Sequence, residues 1–347
     1  MQVVYAPNHR AHRPQHFLVA GARKPSPEVP ERADALLAAV EAAGHRPIQP
    51  PDSGPGPREA VHSPDYLQFL ETIHGRWRQI DGAGAEVVPN VHPGRGAAGY
   101  PVSAVGRAGY HMADTACPVS EGTWQAACAS ADSAAHAATL VLEGEKEVYA
   151  LCRPPGHHAF ADMAGGFCYL NNTAIAAQRL RDRYARVAIL DVDVHHGNGT
   201  QGIFYGRPDV LTASLHTDPA DFYPFFWGYA HERGDGPGEG ANLNAPLSRG
   251  TGNQAYLEAL KRVLEQVDAF APEALVVALG LDAYEADRPR DRVPGAADGV
   301  GSGGRLSLRR VGPQPGRLPW RLSGPPVTGE TLECRSRTLA AFPSSPP

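Results

Sequence analysis

The sequence predicts an α/β fold in which a mainly parallel sheet is covered by helices on both faces, and three observations predict it. The runs VAIL (187–190) and LVVAL (275–279) contain no polar residue, which suits strands buried on both faces. Such runs alternate with longer helical patterns, so that successive strands can run in the same direction. Polar clusters begin abruptly where the apolar runs end, and open α/β sheets place their ligands there.

In chain order, residues 2–5 read as a first strand, followed by a His- and Pro-rich loop through Pro30. A loop of that length is seldom idle. ERADALLAAVEAAG (31–44) carries a helical stripe of Leu36, Leu37 and Val40 closed by Gly44. VHSPDYLQFLETIHGRW (61–77) reads as a short turn and a helix, with Ser63 as N-cap and Pro64 at the first position. Residues 81–108 are rich in Gly, Pro and Ala and read as loop. Ala-rich helices are expected at 124–142 and 172–183, with a strand at 148–152 between them. A strand at 210–216 leads into a long aromatic and Gly-rich loop, 218–240, and 256–270 is helical by periodicity. No internal repeat is evident.

With 347 residues and 42% apolar content, the chain can bury a large core in one domain. A net charge of -5 and a pI near 6.3 give no electrostatic footprint for nucleic acid, so no such partner is expected. The five cysteines are odd in number and show no CxxC pairing, which fits a reduced cytoplasm better than a disulfide scaffold. The N-terminal residues MQVVYAPNHRAHR lack the apolar segment of a signal peptide, and no stretch is long enough to span a bilayer. A soluble, cytoplasmic protein without a membrane partner is expected.

The chemistry centres on ILDVDVHHGNGTQ (189–201). Asp191, Asp193 and His195 alternate, so extended backbone would turn their side chains to one side. Gly197 and Gly199 then permit a turn away from the sheet. Taken alone, the alternation reads equally as a solvated edge. Two other polar clusters, CRPPGHHAF (152–160) and LVVALGLDAYEAD (275–287), would be costly to bury without a purpose. Asp193, His195 and Asp282 together make a mixed oxygen and nitrogen site with room for a water, the pattern of a catalytic metal rather than a closed structural one.

The motifs RPPGHH (153–158), GGFCYLNN (165–172), DVDVHHGNGTQ (191–201) and LGLD (279–282) resemble the arginase and histone-deacetylase superfamily. Asn198 and the run GTQGIFY (199–205) are similar to its bacterial acetylpolyamine amidohydrolase branch. The resemblance implies an arginase/deacetylase-like three-layer fold and a zinc-dependent deacetylase that removes acetyl groups from acetylated polyamines or related small acylated amines. It assigns zinc to Asp193, His195 and Asp282, a ligand set that also tolerates iron or cobalt. His158 becomes the general base, and His157 its electrostatic or acid partner, bonded to Asp191. Asn198 faces His158 without adding a full charge, which should leave that imidazole less basic, as suits a base. The resemblance further implies a structural potassium ion held by the backbone carbonyls of Asp191, Asp193, His195 and Leu215 with the hydroxyl of Ser214.

For substrate, the resemblance points to Phe167 with its neighbour Gly166, and to Phe225 or Phe226, as walls around an aliphatic chain; plain core packing is the alternative for the aromatics. Asp114 is a candidate partner for a cationic amine, with an N-cap role as the alternative. In relatives this N-terminal region helps build a homodimer that narrows the entrance; here it offers Phe17, Glu28 and Glu31, and a flexible surface loop is the other reading. Two further functions stay open: a histone-type deacetylase acting on acetyl-lysine in a protein, and a catalytically impaired metal-binding relative.

The motifs end near Asp287. Residues 1–287 therefore read as the deacetylase domain, incomplete at its C-terminal end. Residues 288–347 are dense in Arg, Pro, Gly and Ser, hold no lysine, and lack helix or strand periodicity, so they read as disordered or out of frame. The resemblance calls for a last strand, surface helices and a Gly-Gly-Tyr motif whose hydroxyl stabilises the oxyanion. That motif is missing, and Tyr284, the last tyrosine, follows too closely on Asp282 to replace it. A shifted reading frame in a GC-rich gene accounts for the composition, and a divergent natural tail is the alternative. Slow catalysis is the expected consequence.

Overall fold

A computed structural model describes residues 1–94, 96 and 99–283, together with the backbone of 305–310. The strands are β1 (Gln2–Tyr5), β2 (His16–Val19), β3 (Ala22–Pro25), β4 (Pro47–Ile48), β5 (Glu147–Leu151), β6 (Val187–Asp191), β7 (Val210–Thr217), β8 (Asn242–Leu247), β9 (Ala274–Ala278) and β10 (Arg305–Arg310). The α-helices are α1 (Pro30–Ala42), α2 (Gly56–Glu59), α3 (Pro64–Trp77), α4 (Ala104–His111), α5 (Thr123–Glu143), α6 (Asn172–Leu180), α7 (Asn198–Phe204) and α8 (Asn253–Phe270).

Eight strands form the main sheet in the order β4-β1-β5-β10-β9-β6-β7-β8. All pairings are parallel except those of β10, which runs antiparallel between β5 and β9. Both faces of the central strands β6 and β9 are apolar, and the two-residue alternation divides them between separate cores. Val187 and Ile189 of β6, with Val276 of β9, face a core shared with α3, α5 and α6. Ala188 and Leu190, with Leu275 and Val277, face the opposite way into a core built on Val263, Leu264 and Val267 of α8. On that same side of β1 and β5, Tyr5, Tyr149 and Leu151 pack on Ala33 and Val40 of α1. The expected three layers are therefore present. Fully burying each such aliphatic side chain is worth about 1.5–3 kcal/mol, so strand alternation alone supplies much of the drive for layering.

Several elements differ from the sequence reading. The loop before Pro30 contains a 3-10 turn at Pro7–Ala11 and the β2–β3 hairpin, whose reversal places Ala20 and Gly21 at positive φ. The loop expected at 81–108 gives way to α4 at Ala104, where the Ser103 hydroxyl accepts a hydrogen bond from the Gly106 amide. The residues after Gly197 form α7, and β8 adds an edge strand that periodicity did not reveal. In the tail, 305–310 supplies β10, so those six residues depart from the structureless reading of 288–347. Tyr284 and the rest of that segment lie outside the described residues. Ser63 precedes α3, but its side chain makes no capping hydrogen bond.

Candidate active site

The site lies where β5, β6 and β9 end. The extended geometry expected for Asp193 and His195 does not occur, because β6 stops at Asp191 and both residues sit in a bend beyond it. Side chains cap that bend instead. The Asp193 amide donates to Asp191 Oδ1 at 3.1 Å, and the His195 amide donates to Asp193 Oδ1 at 2.9 Å. Each Asx-type turn aims the next side chain. From β9, Asp282 is tied to the same bend by accepting the Val194 amide at its Oδ1, 3.1 Å away. Gly280 allows this approach, since a Cβ there would lie 2.2 Å from Asp193 Oδ2.

Asp193, His195 and Asp282 thus converge, all buried, each offering one ligand atom within 4.8 Å of the others. His195 Nδ1 stands 3.0 Å from Asp193 Oδ1 and 3.1 Å from Asp282 Oδ2. Despite that proximity, Asp282 Oδ2 receives no well-directed hydrogen bond from the described residues. Burial lowers the His195 imidazole, but hydrogen bonds and charge from both carboxylates outweigh it and push its pKa up to about 10. Burial and Asp282 in turn push Asp193 up to about 6. Two buried carboxylates sharing one proton donor form a site short of positive charge, and whatever attracts the proton attracts a metal ion in competition with it. The oxygen and nitrogen donors suit a divalent transition ion, and three protein ligands leave a coordination position open.

His157 and His158 follow β5 and face this cluster. His157 Nδ1 donates to Asp191 Oδ2 at 2.9 Å, while its buried Nε2 has no hydrogen-bond partner among the described residues and lies 4.0 Å from Asp193 Oδ1. Burial acts to lower its pKa, but Asp191 and Asp193 prevail and push it up to about 8. His158 Nδ1 meets Asn198 Oδ1 at 2.7 Å. An amide oxygen can only accept, so Nδ1 carries the hydrogen and Nε2 keeps a lone pair. Burial, followed by the neighbouring His157 and His195, holds His158 well below its usual value. The two adjacent buried histidines are therefore shifted in opposite directions.

The remaining candidates are dispersed. Phe167 is buried at positive φ and packs against Phe17 of β2, with ring centroids 5.6 Å apart, so Phe17 is not part of a flexible surface loop. Phe225 is 38% exposed and Phe226 is 84% exposed, which leaves Phe225 as the better wall. Glu28 is buried and paired with Arg153, whose Nε lies 2.8 Å from Oε1. Glu31 is exposed and pairs with Arg13 at 3.3 Å. Asp114 caps no helix among those described, because it follows α4 and accepts the amides of Ala116 and Gly166. Ser214 Oγ lies 2.8 Å from His216 Nδ1, and Leu215 is buried beside it. Sequence reasoning missed Phe222, stacked on His195 at 5.0 Å, and Tyr223, edge-on to His158 at 4.9 Å. Both stand in the aromatic loop from which only the later phenylalanines were selected.

A three-layer α/β protein with a buried metal-ligand triad beside a tuned histidine pair belongs to the class of metal-dependent hydrolases. The family model described as the histone deacetylase domain matches residues 26–303, and the chain belongs to that family. The match runs past Asp287, where the motifs end. The chain is 47% identical over 307 residues to an acetylpolyamine amidohydrolase of Burkholderia pseudomallei, covering 88% of this chain and 89% of that protein. It is 46% identical to acetylpolyamine amidohydrolase 1 of Pseudomonas aeruginosa, covering 83% of this chain and 84% of the relative. The crystal structure of acetylpolyamine aminohydrolase from Burkholderia pseudomallei, from an iodide soak, is similar with a TM-score of 0.81 at 47% identity, covering 83% of this chain and 84% of the other.

Proposed function

We propose that this protein is a zinc-dependent amide hydrolase that removes acetyl groups from acetylated polyamines or closely related small acylated amines. The observation that carries the reading is the convergence of Asp193, His195 and Asp282 beside His158, bonded to Asn198, and His157, bonded to Asp191. Asp193 and Asp282 would hold zinc through carboxylate oxygens, and His195 through Nδ1. Zinc bound there lowers the pKa of water toward neutrality and polarises an amide carbonyl.

His158 takes the proton of the attacking water at Nε2, because Asn198 keeps the hydrogen on Nδ1. His157 keeps its charge up to a pH of about 8 with Asp191 behind it, so it stabilises developing negative charge and supplies a proton to the departing amine. Phe167 and Phe225 flank the acyl-amine chain. Preference for a small amine rests on the named relatives and these aromatics, since Glu28 and Asp114 are both engaged by internal partners. A potassium ion on the carbonyls of Asp191, Asp193, His195 and Leu215 with the Ser214 hydroxyl, a homodimer, and a cytoplasmic location complete the proposal. The four described cysteines are free thiols, in keeping with a reducing compartment, and among the described residues no helix is long and apolar enough to cross a membrane.

The sequence lacks a Gly-Gly-Tyr motif, and loss of one oxyanion donor costs roughly 100- to 1,000-fold in rate, so turnover is expected to be slow. The test compares acetylputrescine with an acetyl-lysine peptide on zinc-loaded protein. Faster hydrolysis of acetylputrescine is expected. A clear preference for the peptide would move the assignment to protein deacetylation, and no hydrolysis of either by metal-loaded protein would leave an impaired metal-binding relative.

A further inference from the structure

We propose that Tyr223 and Asp114 form a brace that fixes the imidazole of His158, making both of them positioning residues for proton transfer at that histidine. This rests on the reading of His158 as the base. The ring is held from four directions. Asn198 Oδ1 binds Nδ1 at 2.7 Å, and the His157 ring lies against it at 4.0 Å between centroids. Tyr223 meets it edge-on, 4.9 Å away at an interplanar angle of 83°. The backbone of Gly166 closes the fourth side so tightly that a Cβ there would lie 2.4 Å from His158 Cδ2.

Two of these four walls belong to segments far apart in sequence, and Asp114 joins them. Tyr223 Oη donates to Asp114 Oδ2 at 2.6 Å, and the Gly166 amide donates to the same oxygen at 3.1 Å. Asp114 Oδ1 accepts the Ala116 amide at 2.8 Å, which anchors the carboxylate to its own loop. Gly166 has φ +49, a conformation glycine adopts at little cost, so the close approach and the backbone shape both require this residue. Three of the roughly four acceptor sites of this carboxylate are thus engaged within the chain. Asp114 therefore acts inward, on the wall of the base, rather than outward on a cationic substrate. Removing the Tyr223 hydroxyl frees one wall and leaves the carboxylate short of a donor, and the ring loses the alignment on which proton transfer depends.

The experiment uses the full metal-loaded chain labelled with nitrogen-15 in histidine, in which the His158 imidazole N–H is identified by its disappearance in His158→Gln. Tyr223→Phe and Asp114→Asn should each speed exchange of that proton with water by about fivefold or more, and the double variant should be no faster than Tyr223→Phe alone. With acetylputrescine, kcat should fall by about tenfold while KM stays within about twofold. Asp114→Asn keeps an oxygen acceptor and covers the case in which Tyr223→Phe does not fold. Unchanged N–H exchange in whichever of the two variants folds overturns the brace. A raised KM with unchanged kcat and unchanged exchange in Asp114→Asn overturns it in favour of a substrate-binding carboxylate. The exchange measurement needs no turnover, so an inactive parent counts only against the functional reading.

Discussion

Glu28 on one side, and Asp193 with Asp282 on the other, are buried carboxylates near the same end of the sheet, yet their surroundings are opposite. Glu28 receives Arg153 Nε at 2.8 Å on one oxygen and Nη2 at 2.9 Å on the other. The guanidinium also donates to the carbonyls of His9 at 2.7 Å and His12 at 2.9 Å, so its charge and its hydrogens are used within the chain. Among the described residues, Asp193 and Asp282 share the His195 imidazole, with His157 Nε2 4.0 Å from Asp193 Oδ1, and Asp282 Oδ2 lacks a directed donor. Buried acidity thus marks two things. Where the chain supplies its own cation, the result is architecture: Arg153 fastens the N-terminal segment under the loop that carries His157 and His158. Where the cation is an imidazolium whose proton a metal can replace, the result is a place for an ion.

The largest expected effect falls on the reactive side of this contrast. His158→Ala should lower kcat by roughly 100- to 10,000-fold, the range for loss of a general base, with metal content and melting temperature little changed. Steady-state kinetics beside elemental analysis check this, and loss of the metal would show that His158 supports the ligand triad instead. On the architectural side, Arg153→Ala leaves Glu28 buried without its partner and should destabilise the protein by about 3–5 kcal/mol in denaturant unfolding. The opposite assignment would show as lost metal in a variant of normal stability.

A smaller effect comes from a buried ionisable group that has no acidic partner among the described residues. His62 Nε2 accepts the Asn171 amide at 2.9 Å, which requires a neutral ring, and burial pushes its pKa down to about 4. The unfolded chain binds the proton near 6.5, so this contribution is complete above about 6.5 and is lost as the pH falls toward about 4. A loss on the order of 1–3 kcal/mol is expected across that window. His62→Gln should flatten the pH dependence of unfolding, and an identical slope in the variant would assign it to other groups.

Much of this was legible in the sequence, for identifiable physical reasons. Runs such as VAIL in β6 and LVVAL at β9 announce strands buried on both faces, and polar residues directly after them announce the end of the sheet where ligands bind. Asp193, His195 and Asp282 could be selected because carboxylates and imidazole are costly to bury together. The bend that presents them could not be read, since alternation suggests a strand and only the side-chain caps reveal turns. Pro246 and the asparagines of β8 hid a strand that survives because it lies at the sheet edge. In α4, Gly106 and Gly109 suggested loop, although a Cβ on Gly109 would meet the Val91 carbonyl at 2.1 Å, so that glycine serves packing. Tyr223 left no local signal at all: its hydroxyl acquires meaning only from Asp114, which lies 109 residues away in the chain.

The most direct test of the contrast between satisfied and unsatisfied carboxylates is the metal content of purified, zinc-loaded protein, compared between the parent chain and Asp282→Ala. The parent should carry about one divalent ion per chain and the variant almost none, since two remaining ligands do not hold a catalytic metal. Full occupancy in Asp282→Ala, or none in the parent, would contradict the assignment of Asp193, His195 and Asp282 as the metal site.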